Sequence, residues 1–369
     1  MTTDEQYMSR CLQLAELGAG NVAPNPMVGA VLVYEDKIFG EGYHQKYGEA
    51  HAEVNCINDV KEENKSLTEK SALYVSLEPC SHYGKTPPCV DLIIKSKIKK
   101  VIIGCKDVYK EVSGKGIKKL EDAGVEVIVG ILESKCVDLN KRFFTFHQKF
   151  RPYIILKWAQ SLNGKTGAEI PPTPSPPKES FGQMERGRQR ILISNEYSNR
   201  LVHKWRSEEA SILIGTNAAL QDDPLLTTRL WPGENPVRIV IDKELKLPSA
   251  LKVFNTDAKT IIYNLLKNVT EENIVYIKPD QRSPYGENEN FLHQLLDSLF
   301  EMNIQSVLVE GGTKTLQSFI DAGLWDEARI IMNEKLVIEN GIAAPEMKDF
   351  ILEKKGKYFN DLVSYCQNA

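Results

Sequence analysis

Three residues, one histidine and two cysteines placed along an alternation of strand-like and helix-like stretches, constrain this chain more than any other feature. His51-Ala52-Glu53 opens a stretch with helical spacing, Ala50–Val60, directly after the loop G-Y-H-Q-K-Y-G. Farther on, the strand-like run A-L-Y-V-S-L (72–77) leads into E-P-C-S-H-Y-G-K-T-P-P-C, which carries Cys80 and Cys89 with eight residues between them. One imidazole and two thiolates form a natural zinc set whose fourth position is left to water. Such a centre ionises its water near neutral pH, and a nearby carboxylate that is not a ligand can shuttle protons. Glu53, two residues from His51, suits that role. Taken singly, His51 would read as a core histidine and the cysteines as inert packing. Three ligand types in this order, each beside a strand end or helix start, favour a metal centre. A structural site with His82 as fourth ligand would leave Glu53 without a task, so a catalytic centre is expected. A known catalytic zinc pattern of this donor set has two residues between its cysteines; with eight here, the second thiolate must come from a loop or a helix start.

The first 150 residues continue the alternation. Glu5–Leu17 has helical spacing ending at Gly18, Val28–Val33 and Lys37–Gly42 read as paired strands, and Ala72–Leu77 is a further strand. Val90–Ser96 reads as helix, Lys100–Gly104 as strand, Gly116–Ala123 as helix closed by Gly124, and Val125–Val129 as strand. This order predicts a layered α/β domain around a central sheet. A basic, aromatic stretch, K-R-F-F-T-F-H-Q-K-F-R-P (141–152), joins it to a second α/β unit. There Tyr153–Lys157, Ile212–Ile214, Val237–Ile241, Thr260–Tyr263, Ile274–Ile277 and Ser306–Val309 are strand candidates. Five prolines between Pro171 and Pro177 interrupt any ladder or helix, so an exposed loop is expected across 170–180. At 369 residues two domains are the default, here 1–147 and 148–369.

Seven cysteines, an odd number, do not form a disulfide framework. The N-terminus lacks the basic and apolar segments of a signal peptide, and no apolar run approaches the roughly 18–20 residues of a membrane span. A cytoplasmic protein without membrane association is expected. A formal charge of −4 speaks against nucleic acid as a partner.

The segments A-P-N-P-M-V-G-A-V (23–31), G-Y-H-Q-K-Y-G-E-A-H-A-E-V-N (42–55) and L-E-P-C-S-H-Y-G-K-T-P-P-C (77–89) together resemble the bifunctional riboflavin-biosynthesis deaminase–reductases. The resemblance implies an N-terminal three-layer α/β/α cytidine-deaminase-like domain that uses Zn2+. Its substrate would be a diaminopyrimidinone with a phosphoribosylamino arm, a small phosphorylated pyrimidine. Asn25, His44, Ser81, His82 and Lys85 match the family's substrate contacts, with Lys85 suited to phosphate. The chain departs from the family at K-D-V-Y-K-E-V-S-G-K-G (106–116), where D-P-N-P usually precedes V-x-G-x-G. Asp107, Gly114 and Gly116 remain, but the prolines do not.

In the second half, V-L-V-E-G-G-T-K-T-L-Q-S-F-I (307–320) runs from a strand through Gly311-Gly312 into a helix starting at Thr313 or Lys314. Such a turn lets a phosphate meet backbone N–H groups at a positive helix end. Together with 151–165 and 212–229 it resembles the family's reductase half, which implies a dihydrofolate-reductase-like α/β domain, NADPH as cofactor and a homo-oligomer. Ala159, Leu192, Asp222 and the run Gly312, Thr313, Lys314, Thr315, Leu316, Gln317 and Ser318 match cofactor contacts. Lys157, Arg190, Arg206, Leu226, Arg229 and Glu310 match substrate contacts, the two arginines at 206 and 229 suiting a phosphate. Three positions depart from the pattern: Asn163 stands for a carboxylate, Leu192 for a tryptophan and Ala218 for a threonine. They leave open an alternative in which an active deaminase carries a non-catalytic reductase-like domain. An RNA-directed deaminase is a further rival that the charge balance disfavours.

Overall fold

The structure, a computed structural model, describes residues 1–84, 87–109, 112–168, 192–279 and 291–369. Lys85, Arg190 and the proline-rich stretch 170–180 lie outside the described residues. The chain divides into one unit of Met1–Pro152 with Leu299–Gln305, and a second of Tyr153–Ser298 with Ser306–Ala369.

The first unit runs α1 (Thr3–Glu16), β1 (Gly29–Tyr34), β2 (Lys37–Tyr43), α2 (Ala52–Asp59), β3 (Ala72–Leu77), α3 (Cys89–Lys95) and β4 (Lys100–Cys105). It continues with α4 (Lys115–Asp122), β5 (Glu126–Val129), α5 (Glu133–Leu139) and α6 (Lys141–Lys149). Its sheet has the order β2-β1-β3-β4-β5, with β1 antiparallel to both neighbours and β3, β4 and β5 parallel. The period of two along each strand sorts the side chains into two cores. Ala30, Leu32, Leu73, Val75, Val101 and Ile103 pack with Ala52 and Cys56 of α2, Val90 and Ile93 of α3, and Leu120 of α4. Val31, Val33, Tyr74 and Ile102 face Met8, Cys11 and Leu14 of α1, Cys136 of α5, and Phe143 and Phe144 of α6. Three layers result, as the sequence predicts. The aromatic stretch expected as a joining segment is helical instead. Burial of Phe143, Phe144 and Phe146 on one side explains why its periodicity is that of a core helix.

The second unit contains β6 (Tyr153–Ser161), β7 (Lys165–Ala168), α7 (Glu196–Glu208), β8 (Ser211–Gly215), α8 (Thr216–Asp222), β9 (Val237–Ile241) and β10 (Thr260–Tyr263). Then follow β11 (Val269–Glu271), β12 (Ile274–Ile277), α9 (Phe291–Glu301), β13 (Ser306–Val309), α10 (Thr313–Asp321), β14 (Glu327–Asn333), β15 (Gly341–Ala343), β16 (Phe350–Tyr358) and β17 (Asp361–Asn368). Ten of these strands form one sheet in the order β11-β12-β10-β9-β8-β13-β6-β14-β17-β16. Its centre, from β12 to β14, is parallel, and antiparallel strands close both edges. Every strand expected from the sequence in this half is present. The C-terminal antiparallel strands, β16 and β17, were not anticipated: β16 is exposed almost throughout and has no apolar alternation. Among the described residues no helix is long and apolar enough to cross a membrane.

The position of α2 depends on Gly40 and Gly42. A Cβ at Gly42 would collide with the backbone of Ala52, Asn55 and Cys56, so α2 lies directly on β2 with no side chain between them. Gly42→Ala is expected to lower stability by about 3 kcal/mol through overpacking. The urea midpoint measures this, and an unchanged midpoint would show that α2 can shift freely.

Candidate functional site

His51 is the residue immediately before α2, Glu53 sits in that helix's first turn, and Cys89 opens α3. Cys80 lies in the loop after β3. The two helix starts and the strand end bring the His51 Nδ1 to 3.5 Å from the Cys80 Sγ and 3.4 Å from the Cys89 Sγ. All three ligand atoms fall within 4.8 Å of one another. A tetrahedral zinc with its usual bond lengths would place an imidazole nitrogen about 3.5 Å from each thiolate. The donor set therefore fits zinc in chemistry and in spacing.

With three donors packed so closely, the Cys80 thiol is held down at about 4 by hydrogen bonding from Cys89 and by His51, while Cys89 is pushed well above its ordinary value. Hydrogen bonding to Cys80 raises His51. Glu53 is 3% exposed, and burial raises its carboxyl although His51 pulls the other way. It borders the cluster without belonging to it.

His51, Glu53 and Cys80 line a cavity of about 370 Å³ together with Asn25, His44, His82, Asp107, Tyr109, Phe143 and His147. His44 Nδ1 lies 3.1 Å from the Ala50 carbonyl, which can only accept, so the ring proton sits on Nδ1. Burial lowers the His44 pKa. The bare Nε2 then accepts from the Asn25 Nδ2 at 3.1 Å, which leaves the Asn25 Oδ1 as the amide's remaining acceptor. Ser81 is half-buried beside Cys80, and His82 is exposed at the rim. Lys85 lies outside the described residues.

Sequence reasoning overlooked several supports of this cavity. Asn140 holds the loop that carries Asn25 by pairing with both the N–H and the carbonyl of Met27, at 2.8 and 2.9 Å. Glu78, buried next to the Cys80 turn, accepts four backbone N–H groups. Asp107 and Gly114 donate to its Oε2 at 3.3 and 3.0 Å, and Gly116 and Ile117 to its Oε1 at 3.0 and 3.2 Å. A carboxylate at the end of a buried strand was the available signal, since burial demands donors. Burial pushes Asp107 up to about 6.

In the second unit, Glu310 follows β13 and its side chain is 7% exposed. Arg206 of α7 closes on it bidentately, Nε to Oε1 at 2.7 Å and Nη2 to Oε2 at 2.8 Å, and Lys157 of β6 approaches Oε2 at 3.5 Å. Burial would raise Glu310, but Arg206 and Lys157 more than reverse this and hold it at about 2. Arg206 is thus an ion-pair partner rather than an open fork, because its two nitrogens facing Glu310 are already committed. Arg229 is more open: its Nη1 donates to the Thr227 Oγ1 at 2.8 Å, and its N–H donates to the His203 Nδ1 at 2.9 Å. His203, another residue not foreseen, is pushed down to about 4 by burial and by the two arginines. Leu226 is buried in the left-handed region beside them.

The turn Gly311-Gly312 leads into α10 with Gly312 at φ 70°, and Thr313 and Lys314 form the helix start. A side chain at Gly215, the end of β8, would strike the Thr315 hydroxyl. Farther along α10, Leu316 is buried in the core, the Gln317 amide is bonded to Asp321 and Glu346, and the Ser318 hydroxyl returns to the Lys314 carbonyl. Ala159 lies in β6 opposite Ile331, Asp222 ends α8, and Leu192 is 73% exposed. Arg190 is outside the described residues.

One departure from the family pattern has a local explanation. Asn163 donates to the Ile338 carbonyl and accepts its N–H, a pairing that a carboxylate could not complete. Ala218 is buried, and nothing in the structure explains the loss of the threonine there.

A buried carboxylate beside a His/Cys/Cys cluster on an α/β/α sheet defines a zinc-type deaminase, here joined to a second α/β unit with a strand–Gly-Gly–helix turn. Residues 1–105 match the cytidine and deoxycytidylate deaminase zinc-binding region, and residues 152–337 match the RibD C-terminal domain. The riboflavin biosynthesis protein RibD of Aquifex aeolicus is 40% identical over 91% of this chain and 88% of its own. A Thermotoga maritima structure, of a diaminohydroxyphosphoribosylaminopyrimidine deaminase/5-amino-6-(5-phosphoribosylamino)uracil reductase, is similar at TM-score 0.84 and 31% identity, covering 100% of this chain and 99% of that one. Acinetobacter baumannii RibD is similar at TM-score 0.84 and 27% identity, with the same coverage. The chain belongs to the RibD family of riboflavin-biosynthesis proteins. It is a bifunctional enzyme, a zinc-dependent deaminase joined to an NADPH-dependent reductase.

Because Glu78 ties the Cys80 turn to the loop before α4, Glu78→Gln turns an amide donor toward that ring of N–H groups. A loss of about 2–3 kcal/mol is expected. Thermal melting of the metal-loaded protein would reveal it, and wild-type melting would mean the clamp contributes nothing.

Proposed function

We propose that the chain hydrolyses the 2-amino group of 2,5-diamino-6-(5-phosphoribosylamino)pyrimidin-4-one and then reduces the ribosyl arm of the product to ribityl. Residues 1–147 would form the deaminase and 148–369 the reductase. The observation that carries the reading is Glu53, a carboxylate buried at the His51/Cys80/Cys89 cluster and in the same cavity as the Asn25–His44 pair.

In the deaminase, His51, Cys80 and Cys89 would hold zinc, which when bound supplies a Lewis acid that makes water nucleophilic at neutral pH. Glu53 accepts a proton from the attacking water at its carboxylate and returns it to the departing amine, so that ammonia leaves and the water oxygen becomes the new carbonyl. The Asn25 Oδ1 reads an N–H edge of the heterocycle, its direction set by the bond from Nδ2 to His44. Ser81 and His82 contact the substrate toward the rim.

In the reductase, bound NADPH supplies the hydride. Gly312 and the N–H groups of Thr313, Lys314 and Thr315 offer a phosphate seat at the start of α10, with Ala159, Leu192 and Asp222 as further cofactor contacts. Lys157 and Glu310 orient the sugar, Leu226 walls it, and Arg229 takes its phosphate. Arg206 acts by holding Glu310 ionised and in place. Positioning carries most of this step. The resemblance and the charge of −4 support a cytoplasmic homo-oligomer acting on a small molecule, apart from nucleic acid and membranes.

Ammonia release and NADPH oxidation, followed together on zinc-replete protein given the diaminopyrimidinone, test both steps. Glu53→Gln is expected to cut ammonia release about a thousandfold, while NADPH oxidation persists when the deaminated intermediate is supplied. No ammonia from the wild type would overturn the reading. Arg229→Ala is expected to raise the reductase KM for the phosphorylated intermediate about tenfold or more and to leave ammonia release unchanged. An unchanged KM would move the phosphate elsewhere.

A further inference from the structure

The loop between β4 and α4 is where this chain departs from its family, and it forms part of the deaminase cavity wall through Asp107, Tyr109 and Val112. In the register set by Asp107, Gly114 and Gly116, Tyr109 takes the place of the asparagine of D-P-N-P. Without the prolines, the loop is held by polar contacts. The Tyr109 N–H donates to the Asp107 Oδ1 at 2.7 Å, and its carbonyl accepts from Val112 and Ser113 at 2.8 and 2.9 Å. Glu78 anchors both ends by binding the Asp107 and Gly114–Ile117 N–H groups.

The described backbone at Tyr109 is therefore held and its side chain is presented. The Tyr109 ring packs between two imidazoles, 5.0 Å from His147 and 6.2 Å from His82. Among the described residues its hydroxyl has no hydrogen-bond partner. Burial grades the cavity wall: His44 and Glu53 are 2% and 3% exposed at the floor, whereas Tyr109 is 39% exposed. A substrate whose reacting carbon reaches Glu53 and whose heterocycle meets Asn25 extends its arm toward the exposed part of the wall, where Tyr109 and His82 lie.

We propose that Tyr109 is a substrate-contacting, specificity-determining residue of the deaminase, its hydroxyl donating a hydrogen bond to the phosphate at the end of that arm. The proposal rests on the deaminase reading above. A phenol supported on two rings loses little freedom on binding, and a phosphate oxygen is the strongest acceptor such a substrate offers.

Steady-state ammonia release by wild type and Tyr109→Phe, on the phosphorylated substrate and its dephosphorylated form, tests this. Removing one hydrogen bond to a charged group predicts about a tenfold rise in KM on the phosphorylated substrate, with kcat within about twofold, zinc content unchanged and the KM for the dephosphorylated form unaltered. An unchanged KM on the phosphorylated substrate, or an equal rise on both, would overturn the proposal, since a merely structural role moves both substrates alike. Tyr109→Asn, which restores the family residue, is expected to show the same selective loss. Failure of the wild type to release ammonia from either substrate would instead defeat the deaminase reading itself.

Discussion

Two sulfurs and an imidazole nitrogen within 4.8 Å of one another form an arrangement that a bound cation would satisfy. The first unit is built around holding these atoms together. Each comes from a place where the backbone changes state: His51 just ahead of α2, Cys80 just past β3, Cys89 at the first turn of α3. The cluster therefore depends on where those elements end. That is governed by the close seat of α2 on Gly40 and Gly42 and by the Glu78 clamp beside Cys80. Neither Gly42 nor Glu78 donates to the metal or moves a proton, yet both determine whether the donors meet.

The second unit solves a related problem with side chains alone. Glu310 is an anion inside the protein, and burying it is tolerable because Arg206 closes on both of its oxygens while Lys157 stands by. The consequence for function is a division of labour between two arginines that look equivalent in sequence. Arg206 serves the carboxylate. Arg229, anchored through its own N–H by His203, commits only its Nη1, to Thr227, among the described residues. The same unit shows why a departure from a family pattern need not signal decay. Asn163 does something an aspartate cannot, donating to and accepting from Ile338. Membership of the RibD family and both matching domains agree with a working reductase.

Much of the architecture was legible because burial on both sides of a sheet writes itself as short apolar runs. V-G-A-V-L-V, A-L-Y-V-S-L and S-V-L-V each became a strand within one or two residues of expectation. The stretch at 141–152 misled because its aromatic residues are interleaved with lysine and arginine, so its buried side emerges only when the helix forms. Strand β16 was invisible for the opposite reason: an exposed edge strand has no buried side to mark it.

The sequence by itself determined the chemistry: a histidine, a carboxylate and two thiolates in an order that suits a zinc deaminase, and a Gly-Gly turn at a helix start. Side-chain identity limits which atoms can bind a metal or carry a proton, and no fold can alter that. Only the tertiary structure decided which polar groups are free and which are engaged. Arg206 against Arg229, the His44 tautomer that aims Asn25, the four N–H groups on Glu78 and the open hydroxyl of Tyr109 all depend on partners distant in sequence. A hydrogen bond's direction and occupancy are set by where its partner lies in space, and a linear pattern carries no record of that.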